Sequence, residues 1–312
     1  MIPTYNCASY LRSALESVLV QDPGATEMQI EVVDNHSVND DPEAVVRSLA
    51  PGRVDFSRQA RNVGHTRNFN ACLDRSRGNF IHLLHGDDLV LPGFYARMGK
   101  ILTDHREVAA AFCRYGVVNE HGEWLHSAPA QAPRSGILEG WFEEIAVGQC
   151  LQPPAMVVRR DVYEAIGGFD QRIQVCGDDW EMWTRIAAYG QVWYEASTLA
   201  CYRVHTSSLS SENLRTGANM RDLRLVISIN RELMSPDQAQ QLTARALEVN
   251  AVAAVRRGLR LFDAGDGRAA FAQIREALRT SRSPRVLGHV VLLGPRIGFR
   301  LLRRITHRVA TR

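Results

Sequence analysis

At 312 residues the chain can bury a sizeable core, enough for one domain with an appended segment or for two small domains. Its 45% hydrophobic and 23% charged residues are the balance of a globular protein, which excludes disordered and fibrous chains. A net charge of +3 excludes a general nucleic-acid binder, and the excess is gathered after Ser281, where no Asp or Glu occurs.

Ile2-Pro-Thr-Tyr-Asn6 reads as the end of a strand entering a loop, with almost no strand before it, as a misassigned start or a truncated domain would give. Leu11, Ala14, Leu15, Val18 and Leu19 then recur at helical spacing after Ser9 and stop at Asp22-Pro-Gly24. Met28 to Val33 is a short apolar strand ending at Asp34, followed by a helix over Pro42 to Leu49 and a strand at Val54 to Phe56. Asn62-Val-Gly64 is a turn, Thr66 to Arg75 a helix, and Phe80 to Leu84 a buried strand that stops at His85-Gly-Asp-Asp88. This alternation predicts an α/β domain with a largely parallel sheet, and its polar clusters fall just after strand ends, where open α/β sheets bind ligands. Strands at Ala109 to Cys113 and Ala155 to Val158 and a helix at Trp180 to Tyr189 follow, and after about Glu212 the pattern is helical (Leu223 to Met234, Pro236 to Leu261, Gly267 to Leu278). The six cysteines are scattered without a C-x-x-C pair, which fits buried, reduced thiols in the cytosol rather than disulfides or zinc. With no signal peptide and no apolar run long enough to cross a bilayer, a cytoplasmic location is expected.

Two acidic doublets carry the candidate chemistry. Asp87 and Asp88 close a buried strand, and adjacent carboxylates repel unless a cation lies near them. A hard divalent ion, Mn2+ or Mg2+, answers that charge, while a loop with a helix N-cap is the alternative. Asp178 and Asp179 precede a helix, where they either cap it or supply a general base to an acceptor hydroxyl. Trp180 and Trp183 on that helix read as core or as an apolar wall for a sugar. Asp34 is suited to a nucleobase N–H or a ribose hydroxyl, or to a turn with Asn35 and Ser37. His205 in Tyr202-Arg-Val-His205 is a metal ligand, a phosphate donor or a structural histidine.

Taken in order, these pieces resemble the family 2 glycosyltransferases of the GT-A fold over roughly residues 1–211. The resemblance rests on Ile2-Pro-Thr-Tyr-Asn6, Ser17 to Gln21, Val32-Val-Asp-Asn35 with Ser37, Asn62-Val-Gly64 with Asn70, and Gly86-Asp-Asp88. Gly167-Gly-Phe-Asp170, Asp178-Asp-Trp180 with Trp183 and Arg185, and Tyr202-Arg-Val-His205 complete it. It implies a Rossmann-like nucleotide-diphospho-sugar transferase domain over 1–211 and a helical C-terminal region over 212–312. It further implies an inverting transfer from a nucleoside diphosphate sugar, usually a UDP-sugar, to a glycan or glycolipid acceptor of the cell envelope. Pro3, Tyr5 and Asp34 fall where the family holds the nucleobase, and Asn62 and Asp178 among its nucleotide-sugar contacts. Asp87 falls near the donor ribose, Asp88 and His205 at the metal and diphosphate, and Asp179 at the catalytic base. The sequence departs from the family at the short first strand, at His85-Gly86 where an aspartate is common, and at Asp178, which stands where Glu is usual.

Near the C-terminus, Ile297, Leu301 and Ile305 form one stripe, and Arg296, Arg300, Arg304 and Arg308 another. That pattern suits a helix lying on an anionic membrane surface, which would place the protein peripherally on the inner face of the cell membrane. A helix packed on the domain or a subunit contact is the alternative, and co-sedimentation with liposomes that survives removal of residues 296–312 would overturn the membrane reading. Oligomeric state is not legible. Two rival functions are a nucleotidyltransferase, which lacks its glycine-rich phosphate loop here, and a catalytically inactive nucleotide-sugar-binding or scaffold protein.

Overall fold

The computed structural model describes residues 1–205 and 209–292, which fall into two compact units. The first comprises Met1–Ile145, Gln149–Gln174 and the chain from Asp178 to the end of the first described stretch. It opens with β1 (Ile2–Thr4), α1 (Ala8–Leu19), β2 (Glu31–Asp34), α2 (Pro42–Leu49), β3 (Asp55–Arg58), α3 (His65–Arg75) and β4 (Phe80–His82). Helix α1 forms where the i, i+3, i+4, i+7 pattern predicts it, and it turns Leu11, Ala14, Leu15 and Val18 inward. Burying each leucine contributes about 2 kcal/mol, and the core they enter includes Ile2, Val32, Leu84 and Met98.

Strands β1, β2 and β3 are parallel and in register, with Thr4 opposite Asp34 and Asp34 opposite Arg58. Short as it is, β1 is fully buried and paired on both sides. Leu84 donates its backbone N–H to Met1 O at 3.1 Å and Gly86 donates to Pro3 O at 3.1 Å, so the segment leaving β4 runs beside β1.

The chain continues through β5 (Leu89–Val90), α4 (Phe94–Asp104), β6 (Val108–Val118), β7 (Trp124–Ser127), β8 (Gly136–Ile137) and α5 (Trp141–Val147). It then forms β9 (Met156–Arg159), α6 (Arg160–Ile166), α7 (Asp178–Tyr189) and β10 (Gln191–Arg203). These strands form a sheet of order β4-β9-β6-β10-β5, with β7 on β6 and β8 on β10. The parallel pairing expected from the first hundred residues holds for β1, β2 and β3, while this later sheet is mixed. β6 and β10 are parallel, whereas β9 runs antiparallel to both β4 and β6. The Asn119–Gly122 turn also sends the chain straight back as β7, antiparallel to β6, as short connections do.

The second unit takes Ala146–Gly148, Val175–Gly177 and the chain from Ser207 onward. Its described part is helical: α8 (Leu209–Thr216), α9 (Ala218–Arg231), α10 (Pro236–Asp263), α11 (Gly267–Thr280) and α12 (Pro284–Val291). Helices α10 and α11 approach closely at Gly258, where a β-carbon would meet Ala270 O at 3.1 Å and Ile274 Cγ1 at 3.0 Å. The arginine stripe from Arg296 on lies outside the described residues. Among those described, no helix is long and apolar enough to cross a membrane.

Candidate active site

The carboxyl ends of β1, β2 and β3 form one edge, and the loops leaving them are tied together by side chains. Asn6, held at a φ of 49°, accepts from Val38 N at 2.9 Å and Asn39 N at 3.1 Å, so the loop after β1 fixes the loop after β2. Asn35 donates to Asn62 Oδ1 at 3.0 Å and accepts from Val63 N at 2.9 Å, which ties the Asn62–Gly64 turn to the same place. Pro3 is buried within β1 and Tyr5 is half-buried just beyond it. Asp34 is fully buried. Its carboxylate accepts from Ser37 N at 3.1 Å and Ser37 Oγ at 2.6 Å, and Arg58 Nε donates to it at 2.8 Å. Asp34 therefore closes the turn and anchors an arginine at this edge.

The Gly86-Asp-Asp88 loop lies against the end of β1. Only glycine fits at 86, since a β-carbon there would come within 2.7 Å of Thr4 Oγ1 and 2.9 Å of Cys7 Sγ. Asp88 is fully buried, with Oδ1 accepting from Arg203 N at 2.8 Å and Oδ2 without any partner. Burial, and then the neighbouring Asp87 charge, push its pKa well up. Asp87 is partly exposed, and its Oδ2 is 3.0 Å from His205 Nε2. Burial opposes its charge, but the His205 bond and the nearby His85 outweigh that and hold its pKa down. His85, Asp87 and Asp88 each offer one ligand atom, and these atoms all lie within 4.8 Å of one another. Burial lowers the His85 pKa, which keeps the imidazole neutral and fit to ligate, and its ring stacks on Phe69 at 4.9 Å. Two adjacent acids, one with a partnerless buried oxygen, and a neutral imidazole are a donor set that suits a divalent cation. His205, expected at the metal, is bonded to Asp87 and stands outside this group of three.

Arg203 holds the loop from below. Its guanidinium donates to Asp87 O at 2.8 Å, Asn119 O at 3.1 Å and Ser13 Oγ at 3.3 Å, and it lies over the Tyr10 ring. Arg203 ends β10, and His205 follows in the loop leaving it. A groove of about 500 Å³ beside Arg203, Tyr10 and His121 contains none of His85, Asp87, Asp88 or Asp179.

Asp178 and Asp179 occupy the first turn of α7, where the helix dipole favours negative charge. Asp178 is buried, 3.5 Å from His65 Nε2, and its charge reaches His85, which brings the two doublets into one region. Asp179 accepts from Trp180 N at 2.8 Å on Oδ1 and from Gln149 Nε2 on Oδ2. Burial, then repulsion from Asp178, push its pKa up to about 7. Trp180 and Trp183 are both core residues, 0% and 2% exposed, so neither forms a wall for a ligand.

The buried carboxylates elsewhere in this unit have arginine partners. Glu31 pairs with Arg75, Asp34 with Arg58, Glu181 with Arg185 and Glu195 with Arg97. Among the described residues, neither Asp88 nor Asp179 has an ion-pair partner. Carboxylates left uncompensated in this way are destabilising, and such groups mark functional sites. Sequence reading does not single out His65, Gln149 or Arg203, and it treats His85 only as a departure. His65, Gln149 and Arg203 are isolated polar residues whose partners at the site are distant in sequence.

The family model described as glycosyl transferase family 2 matches residues 1–167. An uncharacterized protein of Mycobacterium tuberculosis is 27% identical over 246 residues, 73% of this chain and 73% of its own length. An uncharacterized glycosyltransferase of Rickettsia typhi is 23% identical over 218 residues, which cover 69% of this chain and 66%, a little under two thirds, of its own. Among solved structures, S. aureus TarS 1-349 in complex with UDP-GlcNAc matches with a TM-score of 0.61 at 14% identity, covering 89% of this chain and 90% of that one. The mannosyltransferase PcManGT of Pyrobaculum calidifontis, in complex with GDP-Man and Mn2+, matches with a TM-score of 0.53 at 16% identity, covering 89% and 84%. At these identities the structural likeness is one of fold, the GT-A fold of nucleotide-diphospho-sugar transferases.

Proposed function

Because the chain belongs to glycosyl transferase family 2, we propose that it is a metal-dependent, inverting glycosyltransferase that moves a sugar from a UDP-sugar onto an acceptor hydroxyl in cell-envelope polysaccharide or glycolipid synthesis. The observation that carries this reading is the group of His85, Asp87 and Asp88, whose buried Asp88 Oδ2 has no partner. These three residues would hold the cation, and the His85 imidazole tilts the choice toward Mn2+ over Mg2+. When bound, the cation supplies Lewis-acid charge for a departing diphosphate. Pro3, Tyr5 and Asn62 line the nucleotide side of the edge, with Asp34 and its Arg58 partner beneath.

Asp179 is the base. With its pKa at about 7, it is half ionised near neutral pH and basic enough to accept a proton there, the compromise that general-base catalysis favours. It takes the proton of the acceptor hydroxyl as the new bond from that oxygen to the anomeric carbon forms. The bond from the anomeric carbon to the diphosphate oxygen breaks on the opposite face, and its electron pair leaves with the nucleoside diphosphate. One displacement of this kind inverts the configuration.

The test is a melting series with UDP, GDP, ADP and CDP, each with and without Mn2+, on the wild type and on Asp88→Asn. A ligand that favours the folded state raises its melting temperature. UDP with Mn2+ is expected to give the largest rise, and Asp88→Asn to abolish the part that depends on Mn2+. A rise from UDP that is identical with and without the metal overturns the metal-dependent reading. No rise from any of the four nucleotides overturns the nucleotide-sugar reading as a whole.

A further inference from the structure

Asp179 has its two oxygens held by groups of different kinds. Oδ1 takes the backbone N–H of Trp180, which the helix itself supplies. Oδ2 takes the side-chain amide of Gln149, an exposed residue 30 positions away in the segment before β9. Other groups that act on the carboxylate sit on regular elements: Asp178 on the same helix, His65 at the start of α3 and Tyr115 in β6. Gln149 also donates to Leu151 O at 3.3 Å, so its amide bridges its own loop and the acid. Two residues after the end of α5, the amide thus reaches a carboxylate whose other neighbours include a like charge.

We propose that Gln149 is a positioning residue for Asp179: its amide anchors one carboxylate oxygen, orients the remaining lone pairs and favours the charged form that can accept a proton. This rests on the assignment of Asp179 as the base. The physical argument is a balance of opposing effects. Burial and the Asp178 charge favour the protonated acid, while Trp180 N–H, the Gln149 amide and His65 favour the carboxylate. Of the three supports, the Gln149 bond comes from a neutral side chain that substitution removes without adding or deleting a charge. Each carboxylate oxygen accepts two hydrogen bonds, so with Gln149 in place Oδ2 still has room for an acceptor hydroxyl. Without it only the Trp180 N–H holds the carboxyl group, which spends more of its time protonated at neutral pH.

The experiment needs neither the sugar nor the acceptor. Protein labelled with carbon-13 at the aspartate carboxyl carbon is titrated by NMR from pH 4 to 9, and the Asp179 resonance is identified by its loss in Asp179→Asn. The wild-type midpoint is expected near 7. Gln149→Leu should raise it by about one pH unit, the size of a lost hydrogen bond to the charged form, and Gln149→Glu should raise it further by adding a second like charge. Gln149 is exposed, so both variants are expected to fold, and a melting curve on each checks that. Unchanged midpoints in both variants overturn the role of Gln149 while leaving the base assignment standing. A wild-type midpoint near 4 removes the poised base itself, and the Gln149 role with it.

Discussion

Asp179 is a residue the fold keeps against its own stability. A carboxylic acid whose pKa is raised from its ordinary value to about 7 binds its proton more tightly in the folded than in the unfolded state. By linkage, its contribution to stability is complete below the unfolded value of about 4 and is lost as pH rises from there through about 7. Asp179→Asn lacks that loss. The variant and the wild type are therefore expected to melt together near pH 4, and the variant several degrees higher at pH 8, as calorimetry at the two pH values would show. A variant that melts lower than the wild type at pH 8 would mean that the charged carboxylate is well solvated in the folded protein. The same residue shows what a sequence can and cannot disclose. Asp178 and Asp179 are legible because an acidic doublet at a helix start is an uncommon pattern with a short list of causes. Gln149 is not, because nothing within its own neighbourhood distinguishes it, and its contact with Asp179 exists only once α5 and α7 have been placed.

At the scale of elements, the site depends on how tightly loops are docked. The Gly167–Phe169 turn is held on α3 by Asn70, which donates to Phe169 O at 2.9 Å and accepts from Phe169 N at 2.7 Å. From the other side Arg185 donates to Ile166 O at 2.7 Å and Gly168 O at 2.8 Å. Gly168 lies so close that a β-carbon there would overlap the Asn70 amide oxygen. Asn70→Ala should cost about 2 kcal/mol by orphaning both backbone groups of Phe169. Gly168→Ala should be destabilising alone yet nearly neutral in the Asn70→Ala background, because the truncated side chain leaves room for the methyl. Denaturant melts of the four proteins in the cycle measure this coupling, and additive costs would show that the turn is not docked through Asn70. Elements with one amphipathic period were readable in advance. α1, α2 and α3 form within a residue or two of where the apolar spacing places them. β10 was not, although it is the longest strand, because register shifts between Glu195, Thr198 and Ala200 break its alternation. Its last residues carry Arg203 toward the Asp87-Asp88 loop, so missing the strand also hid the residue that holds that loop.

Across the described residues, acids withdrawn from water divide by what surrounds them. Among the described residues Asp88 and Asp179 have no ion-pair partner, and both are pushed toward their neutral forms. Glu276, in the second unit, is the opposite case. It is 1% exposed, yet Arg224 reaches its Oε2 at 2.9 Å and Arg279 its Oε1 at 2.8 Å, with Arg275 at 3.5 Å. Burial works against its charge, but the bonds to Arg224 and Arg279 outweigh burial and leave its pKa lowered. An acid with a depressed folded pKa contributes stability that is present above its unfolded value and lost as pH falls through the folded one. Glu276→Gln should therefore melt well below the wild type at pH 7. The cost should be about 3 kcal/mol, the low end for breaking a buried pair, because Arg275 and Arg279 remain largely in solvent. The gap should narrow once pH falls below the ordinary glutamate value of about 4.3, as first the unfolded chain and then the folded carboxylate take up a proton. Opposite signs for Asp179→Asn and Glu276→Gln at neutral pH, measured by the same calorimetric melts, would follow from the presence or absence of arginine partners alone. Equal signs would mean that burial, and not pairing, decides the energy of these acids.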